Sequence, residues 1–337
     1  MGSPRTAGAG GSVRAIRLAT RGSPLALRQA DTVAALLRAA HPGLEVEPVV
    51  VRTRGDRERS VPLDQIGGQG VFVAEVEAAV ADGRADAAVH SAKDMPSVMP
   101  ASLVFGAVPP RADARDALVG CRLAELPAGA LIATGSARRR AQLAYLRPDL
   151  VFSDLRGNMA RRVAAAGRDG VTAVVVAVAA MERLEWLDQV SDVLDPMDVL
   201  PQAGQGAIGV QCQADDERTR ALLAAIDHPA THRALRAERA VLAALGGNCS
   251  VPVGAYAEEA DAAAGPAPGE PTLRVSGLVA SADGHTMVRL SRQGDDPETV
   301  GAAVAQALFD GGGAAIEGFD PDAGGSVAAG WGRGAAR

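Results

Sequence analysis

At 337 residues the chain is long enough for two or three domains. It is 47% hydrophobic, 22% charged and carries a formal net charge of -6, which suits a globular protein and argues against nucleic acid as a partner. Aromatics make up 3%, so the cores must be built from Ala, Val, Leu and Ile, and base-stacking platforms are not expected.

Residues 1–13 are rich in Gly, Ala and Ser, lack the apolar core of a signal peptide, and read as a disordered tail. The longest apolar run, 171–181, is too short to span a bilayer, so no membrane partner is expected. Three widely spaced cysteines, Cys121, Cys212 and Cys249, fit neither a disulfide framework nor a zinc site and suit a reducing cytoplasm, so no metal and a cytoplasmic location are expected.

In chain order, the spacing predicts a strand over 14–20. Ser23-Pro24 is a good cap and first-turn pair for a helix over 25–40, with Ala30, Val33, Ala34 and Leu37 on one face. A strand over 45–51 and a helix over 71–81 follow, the latter with Phe72, Val76 and Val80 on one face. A short strand over 86–90 leads into the loop His90-Ser91-Ala92-Lys93-Asp94-Met95-Pro96. The pattern then repeats. A strand over 131–134 meets Gly135-Ser136 and a helix over 137–146. A strand over 151–153 meets Leu155-Arg156-Gly157-Asn158 and another helix, and 172–177 is a near-continuous apolar strand. This alternation predicts parallel sheets covered on both faces, in two similar domains that each place a hydroxyl where a strand turns into a helix.

A further strand over 207–211 is expected to cross back to the first domain. From His228 the style changes to a helix over 230–245, strands near 251–256, 273–281 and 286–291, and a helix over 298–309, a small α+β domain. After about Gly311 the chain reads as a Gly/Ala-rich tail. The expected division is a tail at 1–13, a first domain at 14–110 and 203–226, a second at 111–202, a third at 227–312, and a tail at 313–337.

Arginines gather where helices begin: Arg21, then Arg138, Arg139 and Arg140, then Arg156, Arg161 and Arg162. Helix N-termini attract anions and disfavour cations, so the set points to a ligand with several carboxylates or phosphates, pairing with surface acids being the plainer alternative. Lys93 is the only lysine among 34 basic residues, and its rotatable ammonium differs from a planar fork. Lys93 and Asp94 follow a strand's carboxyl end, where open α/β sheets bind ligands; an exposed ion pair is the plainer reading. His90 alone points to nothing beyond a structural histidine. Gly246-Gly247-Asn248 frees space around Cys249, although a small buried hydrophobe is the commoner role of a free cysteine. Gly204-Gln205-Gly206-Ala207-Ile208-Gly209 spells a dinucleotide fingerprint, but a strand follows it, so it is set aside, and with it a dinucleotide-dependent oxidoreductase. Gly67-Gly68-Gln69-Gly70 lacks the Lys-Ser/Thr of a phosphate loop.

Taken together, Ala19-Thr20-Arg21-Gly22-Ser23-Pro24-Leu25-Ala26-Leu27, Ala88-Val89-His90-Ser91-Ala92-Lys93-Asp94, Leu155-Arg156-Gly157-Asn158, Gly204-Gln205-Gly206-Ala207, and Cys249 before Val251-Pro252-Val253-Gly254 resemble the porphobilinogen deaminase family, also called hydroxymethylbilane synthases. The likeness runs from about Arg14 to about Phe309. It implies two periplasmic-binding-protein-like α/β domains around a cleft, plus a small α+β C-terminal domain. It further implies a transferase of tetrapyrrole biosynthesis. Four porphobilinogen molecules would be deaminated and joined head to tail on a dipyrromethane primer, and hydroxymethylbilane released by hydrolysis.

By that resemblance Cys249 holds the dipyrromethane through a thioether, and Asp94 is the catalytic carboxylate. Lys93, Ser136, Arg138, Arg139, Arg162 and Arg183 would hold the cofactor. Arg21, Ser23, Gln29, Arg156, Gly157 and Asn158 would hold substrate. A monomer is implied, with possible hand-over of product to uroporphyrinogen-III synthase. The chain departs from the family at Gln65 and Gln69, where familiar members carry lysines in a loop over the cleft; Arg52, Arg54, Arg57 and Arg59 are nearby substitutes. The alternative from another class is a non-catalytic two-lobed protein that binds a small anion.

Overall fold

The computed structural model describes residues 15–53, 73–246, 251–260, 272–317 and 319. β1 (Ile16–Arg21) buries Ile16, Leu18 and Ala19. Ser23 ends it: its Oγ accepts from the Ala26 N–H at 3.3 Å, Pro24 fills the first turn, and α1 (Pro24–Ala40) runs back with Val33 and Leu37 in the core. β2 (Val46–Val51) and β3 (Ala87–Ser91) pair parallel with β1 on its two sides. Between them α2 (Ala74–Ala81) buries Val76 and Val80; Phe72 lies outside the described residues.

The first sheet is completed by two strands of different origin. β4 (Leu103–Ala107) is local, and β10 (Ile208–Gln213) returns from beyond the second sheet, giving the order β2-β1-β3-β10-β4. The crossing back to the first sheet is therefore present. The expectation of a wholly parallel sheet is corrected, because β10 runs antiparallel to both β3 and β4. A strand arriving from the far lobe enters at the carboxyl end of β3 and can pair at once in the reverse sense, without a helical crossover.

The second sheet contains β5 (Asp116–Val119), β6 (Leu131–Ala133), β7 (Val151–Ser153), β8 (Val171–Ala177) and β9 (Asp192–Val193), in the order β7-β6-β8-β5-β9. β6 is parallel to β7 and β8, while β5 is antiparallel to β8 and β9, so this sheet is mixed too. α3 (Ala137–Leu146) repeats the opening of α1: Ser136 Oγ accepts from the Arg139 N–H at 3.4 Å. α4 (Met159–Val163) is a short helix capped by Asn158, and α5 (Val178–Arg183) takes over directly from β8. The apolar run 171–181 is thus strand up to Ala177 and helix from Val178, a boundary that hydrophobicity cannot mark.

α6 (Glu217–Ala224) closes the first lobe, and α7 (Pro229–Ala244) opens the third unit. There β11 (Val253–Glu259), β12 (Leu273–Ala280) and β13 (Met287–Gly294) form an antiparallel meander, covered on one face by α7 and α8 (Pro297–Asp310). The other face sets Leu278, Ala280, Tyr256 and Met287 against Ala141 of α3 and Leu200. Within the stretch expected as a tail from Gly311, Ile316 and Phe319 are buried in the third core. Across all three cores the buried side chains are mostly Val, Leu, Ile and Ala, as the scarcity of aromatics requires.

Candidate active site

β1 and β3 are parallel neighbours, so their carboxyl ends open at one edge of the first sheet. The N-terminus of α1 follows one, and the turn Ala92–Asp94 follows the other. Arg21, Ser23, Gln29, His90, Ser91 and Asp94 consequently line one cleft. Four of the expected site residues, Arg21, Ser23, Gln29 and Asp94, are brought together by this edge. Gln29 and His90 are buried, and their Nε2 atoms have no hydrogen-bond partner among the described residues. Burial pushes the His90 imidazole down to about 4, with Gln211 opposing and Arg21 adding to the shift, so the ring is neutral at ordinary pH.

Lys93 keeps part of its surface exposed, yet protein surrounds it closely. Its Nζ donates to Gln205 Oε1 at 3.1 Å, and its carbonyl accepts from Gln202 Nε2 at 3.1 Å. Burial pulls the ammonium down to about 8; Arg139 and Arg138 push the same way, against Asp94 and Asp116.

The α3 arginines turn inward. Arg138 Nη2 lies 2.7 Å and Arg139 Nη2 2.6 Å from the two carboxylate oxygens of Asp116, which is fully buried. Gln205 Nε2 donates to the same carboxylate at 2.8 Å. Other guanidinium donors bind the carbonyls of Leu200 and Val175, leaving Arg138 Nε unpartnered. The anion that electrostatics requires at this helix start is therefore first of all an internal one, since a buried cation needs a partner at hand. For these two arginines the pairing with an acid is thus realised, but with a buried carboxylate and not a surface one.

Arg162, half-buried at the end of α4, donates through Nε to the Gly157 carbonyl at 2.9 Å. Burial and then Arg139 lower its pKa, Asp94 raises it, and Arg156 lowers it again, so Arg162 of the second lobe lies within electrostatic reach of the first lobe's carboxylate. Arg156 and Gly157 are exposed, and Asn158 Oδ1 is the cap of α4, accepting from the Arg161 N–H at 3.0 Å. Arg183 stands apart: its Nη2 holds the Gly206 carbonyl at 2.7 Å, and burial pushes it down to about 10.

The sequence reading missed Asp116 and Gln205. Asp116 sits in an unremarked Arg115-Asp116 pair, and Gln205 lies in the glycine motif set aside as a false fingerprint. The motif's work is a close crossing of chains. Gly204 and Gly206 have φ of 73° and 85°, and a Cβ at Gly204 would stand 2.9 Å from the Lys93 N.

Cys249, Gly247 and Asn248 lie outside the described residues, as do Arg54, Arg57, Arg59, Gln65 and Gln69. Of the other cysteines, Cys212 is fully buried and burial pushes its thiol up to about 11, which suppresses thiolate chemistry; Cys121 packs at the margin of the second core. Among the described residues no group of three or more His, Cys, Asp or Glu could hold a metal ion, and no helix is long and apolar enough to cross a membrane.

The family model described as "Porphobilinogen deaminase, dipyromethane cofactor binding domain" matches residues 16–221, and the porphobilinogen deaminase C-terminal domain matches 232–310. The chain belongs to the porphobilinogen deaminase family. The porphobilinogen deaminase of Moorella thermoacetica is 45% identical over 299 residues, 87% of this chain and 93% of its own length. That of Syntrophobacter fumaroxidans is 43% identical over 304 residues, 89% and 96% of the two chains. Among solved structures, the VFT2 domain of Bordetella pertussis BvgS covers 63% of this chain and 86% of its own, at 17% identity and a TM-score of 0.39. As a porphobilinogen deaminase, the chain is a transferase of tetrapyrrole biosynthesis that uses a dipyrromethane cofactor and takes porphobilinogen as substrate. A non-catalytic anion-binding role is not favoured.

Proposed function

We propose that condensation takes place in the cleft at the carboxyl ends of β1 and β3, with Asp94 as the catalytic carboxylate and Cys249 as the thioether anchor of the dipyrromethane. The observation that carries this is the position of Asp94. It shares one cleft with Arg21, Ser23 and Gln29 and lies within electrostatic reach of Lys93 and Arg162. The fit to a pyrrole polyacid is good. Cations and unpartnered buried donors (Gln29 Nε2, Arg138 Nε) suit acetate and propionate arms, and the carboxylate suits pyrrole N–H groups.

When bound, the dipyrromethane supplies a nucleophilic pyrrole carbon that primes the chain. Asp94 accepts hydrogen bonds from pyrrole N–H groups and stabilises positive charge as it develops on their nitrogens, a preorganised electrostatic effect. Arg21, Ser23 and Gln29 orient the arms of the incoming porphobilinogen. Arg156, Gly157 and Asn158 do the same from the exposed start of α4. Lys93, Ser136 and Arg162 hold the cofactor's arms. Arg138 and Arg139 support them by carrying the positive field of α3's first turn on a rigid Asp116 mount. Arg183 fixes the crossing at Gly206. The chain acts as a cytoplasmic monomer that hands its product to uroporphyrinogen-III synthase.

Intact mass under denaturing conditions, combined with turnover, tests the assignment. Wild type is heavier than its sequence by two linked pyrrole units, and the increment survives denaturant and reductant. Cys249→Ala has the bare mass and no turnover. Asp94→Asn keeps the increment and loses about 10²–10⁴-fold in rate. An increment that persists in Cys249→Ala moves the anchor elsewhere, and a rate for Asp94→Asn within about threefold of wild type removes its central role.

A further inference from the structure

Helix α7 carries Glu238 and Arg239 side by side, and the two reach opposite ends of the segment that bears Lys93 and Asp94. Glu238 is fully buried. Its carboxylate accepts from the Gly204 N–H at 2.6 Å and the Ala257 N–H at 2.8 Å, and Arg111 forks across it at 2.5 and 3.1 Å. Gly204, so held, backs directly onto the Ala92–Lys93 peptide, with no room for a side chain between them. On the next residue, Arg239 Nη2 donates to the Ser97 carbonyl at 3.0 Å. Its guanidinium lies 5.2 Å from the Phe105 ring centroid, and the charge of Glu77 opposes its loss of basicity on burial. The segment between these two holds is a three-residue 3-10 turn, closed by the Met95 N–H on the Ala92 carbonyl at 3.2 Å, and then an irregular run to β4. The start of the turn is held as well, by the Ala92 N–H on the Ala207 carbonyl at 3.0 Å and by Gln202 Nε2 on the Lys93 carbonyl, whereas the run after Asp94 meets Arg239 at Ser97.

We propose that α7 is a brace for this turn, and that Arg239 is a positioning residue that holds Asp94 where pyrrole N–H groups meet it. A 16-residue helix, capped by His228 and started by Pro229, is stiff on the scale of such a turn. The same helix ends at Ala244, five positions before Cys249 in the chain. The proposal rests on the reading of Asp94 as the catalytic carboxylate.

The test compares Arg239→Met, Arg239→Lys and Arg236→Gln in the cofactor-loaded enzyme. Arg236 stands on the same helix, but it pairs with Glu298 at the surface, so its loss reports generic weakening of α7. Three quantities are read: the mass increment, kcat and KM for porphobilinogen, and amide hydrogen exchange over residues 92–99. Arg239→Met is expected to keep the increment and lose roughly 10- to 100-fold in kcat, as displaced catalytic groups do. Its KM stays within about threefold, as for a loss confined to the transition state, and exchange over 92–99 rises. Arg239→Lys, which keeps a charge and a donor, recovers part of both. Arg236→Gln matches wild type in all three. Exchange and kcat for Arg239→Met that equal those of Arg236→Gln overturn the brace, and so does a fall in kcat with unchanged exchange. Should Arg239→Met not fold, Arg239→Gln carries the same comparison. Asp94→Asn is run beside them: wild-type turnover there removes the reading of Asp94, while the exchange result still decides whether α7 holds the turn.

Discussion

Asp116 is the residue on which most of the site's charge is hung. Two guanidiniums and the Gln205 amide converge on one fully buried carboxylate. Burial alone would raise its pKa, but Arg138 and Arg139 overcome that and hold it well below the usual carboxylate range. A depressed folded-state pKa contributes stability that is present above the unfolded value of about 4 and is lost as pH falls from there toward the folded value. Asp116→Asn leaves two buried cations without their counter-charge. It is expected to destabilise the fold by about 3–5 kcal/mol and to flatten the acid limb of stability, both read by denaturant titration at pH 7 and pH 3. A loss under about 1 kcal/mol, the size of an exposed pair, would show that solvent already serves these arginines.

At the scale of elements, hydrophobic spacing located most of the chain. α1, α3, α7 and α8 have caps and faces that are local properties of their residues, as Ser23-Pro24 and Ser136 illustrate. β4, β5, β9 and α6 escaped, being short or weakly patterned, and their place is set by partners distant in sequence. Packing between α7 and α8 depends on Gly301, where a Cβ would stand 2.4 Å from the Ala237 carbonyl and 2.7 Å from Ala240 Cβ. Gly301→Val is expected to force these helices apart and to cost about 1–3 kcal/mol, as overpacking does. Exchange protection should fall in 229–244 and 297–310 while the first sheet keeps its own. Equal loss in the β1–β3 region would mean that the third unit does not unfold separately.

Across the whole molecule, both lobes set the charge of Lys93. Asp94 comes from the first; Asp116, Arg138 and Arg139 come from the second. The ammonium is charged below about 8, so its hold on carboxylates weakens as pH rises through that value. The cofactor's arms should therefore be held less firmly above pH 8, and kcat of the loaded wild type should fall there. In Lys93→Arg, whose cation stays protonated, that fall should be absent even if kcat is lower throughout. An identical alkaline limb in both enzymes would assign it to another group. For stability the sign is reversed: the unfolded chain keeps the proton up to about 10, so wild type gains stability relative to Lys93→Arg between pH 8 and 10.

The sequence by itself determined what depends on near neighbours. Periodicity and caps set the elements, and ordered motifs marked Arg21, Ser23, Gln29 and Asp94, which the fold gathers at one sheet edge. Tertiary structure alone decided which charges are free and which are spent. Arg138 and Arg139 look alike to Arg162 in sequence, yet they are buried on Asp116, while Arg162 stays half-open toward Asp94. It also decided that Glu238 and Arg239 stand behind the turn that carries Lys93 and Asp94, more than 100 positions away in the chain. The physical reason is one of range. Helix propensity and capping act over a few residues, whereas the pairing of a buried charge is settled by whatever the folded chain brings within hydrogen-bond distance, and sequence spacing carries no record of that.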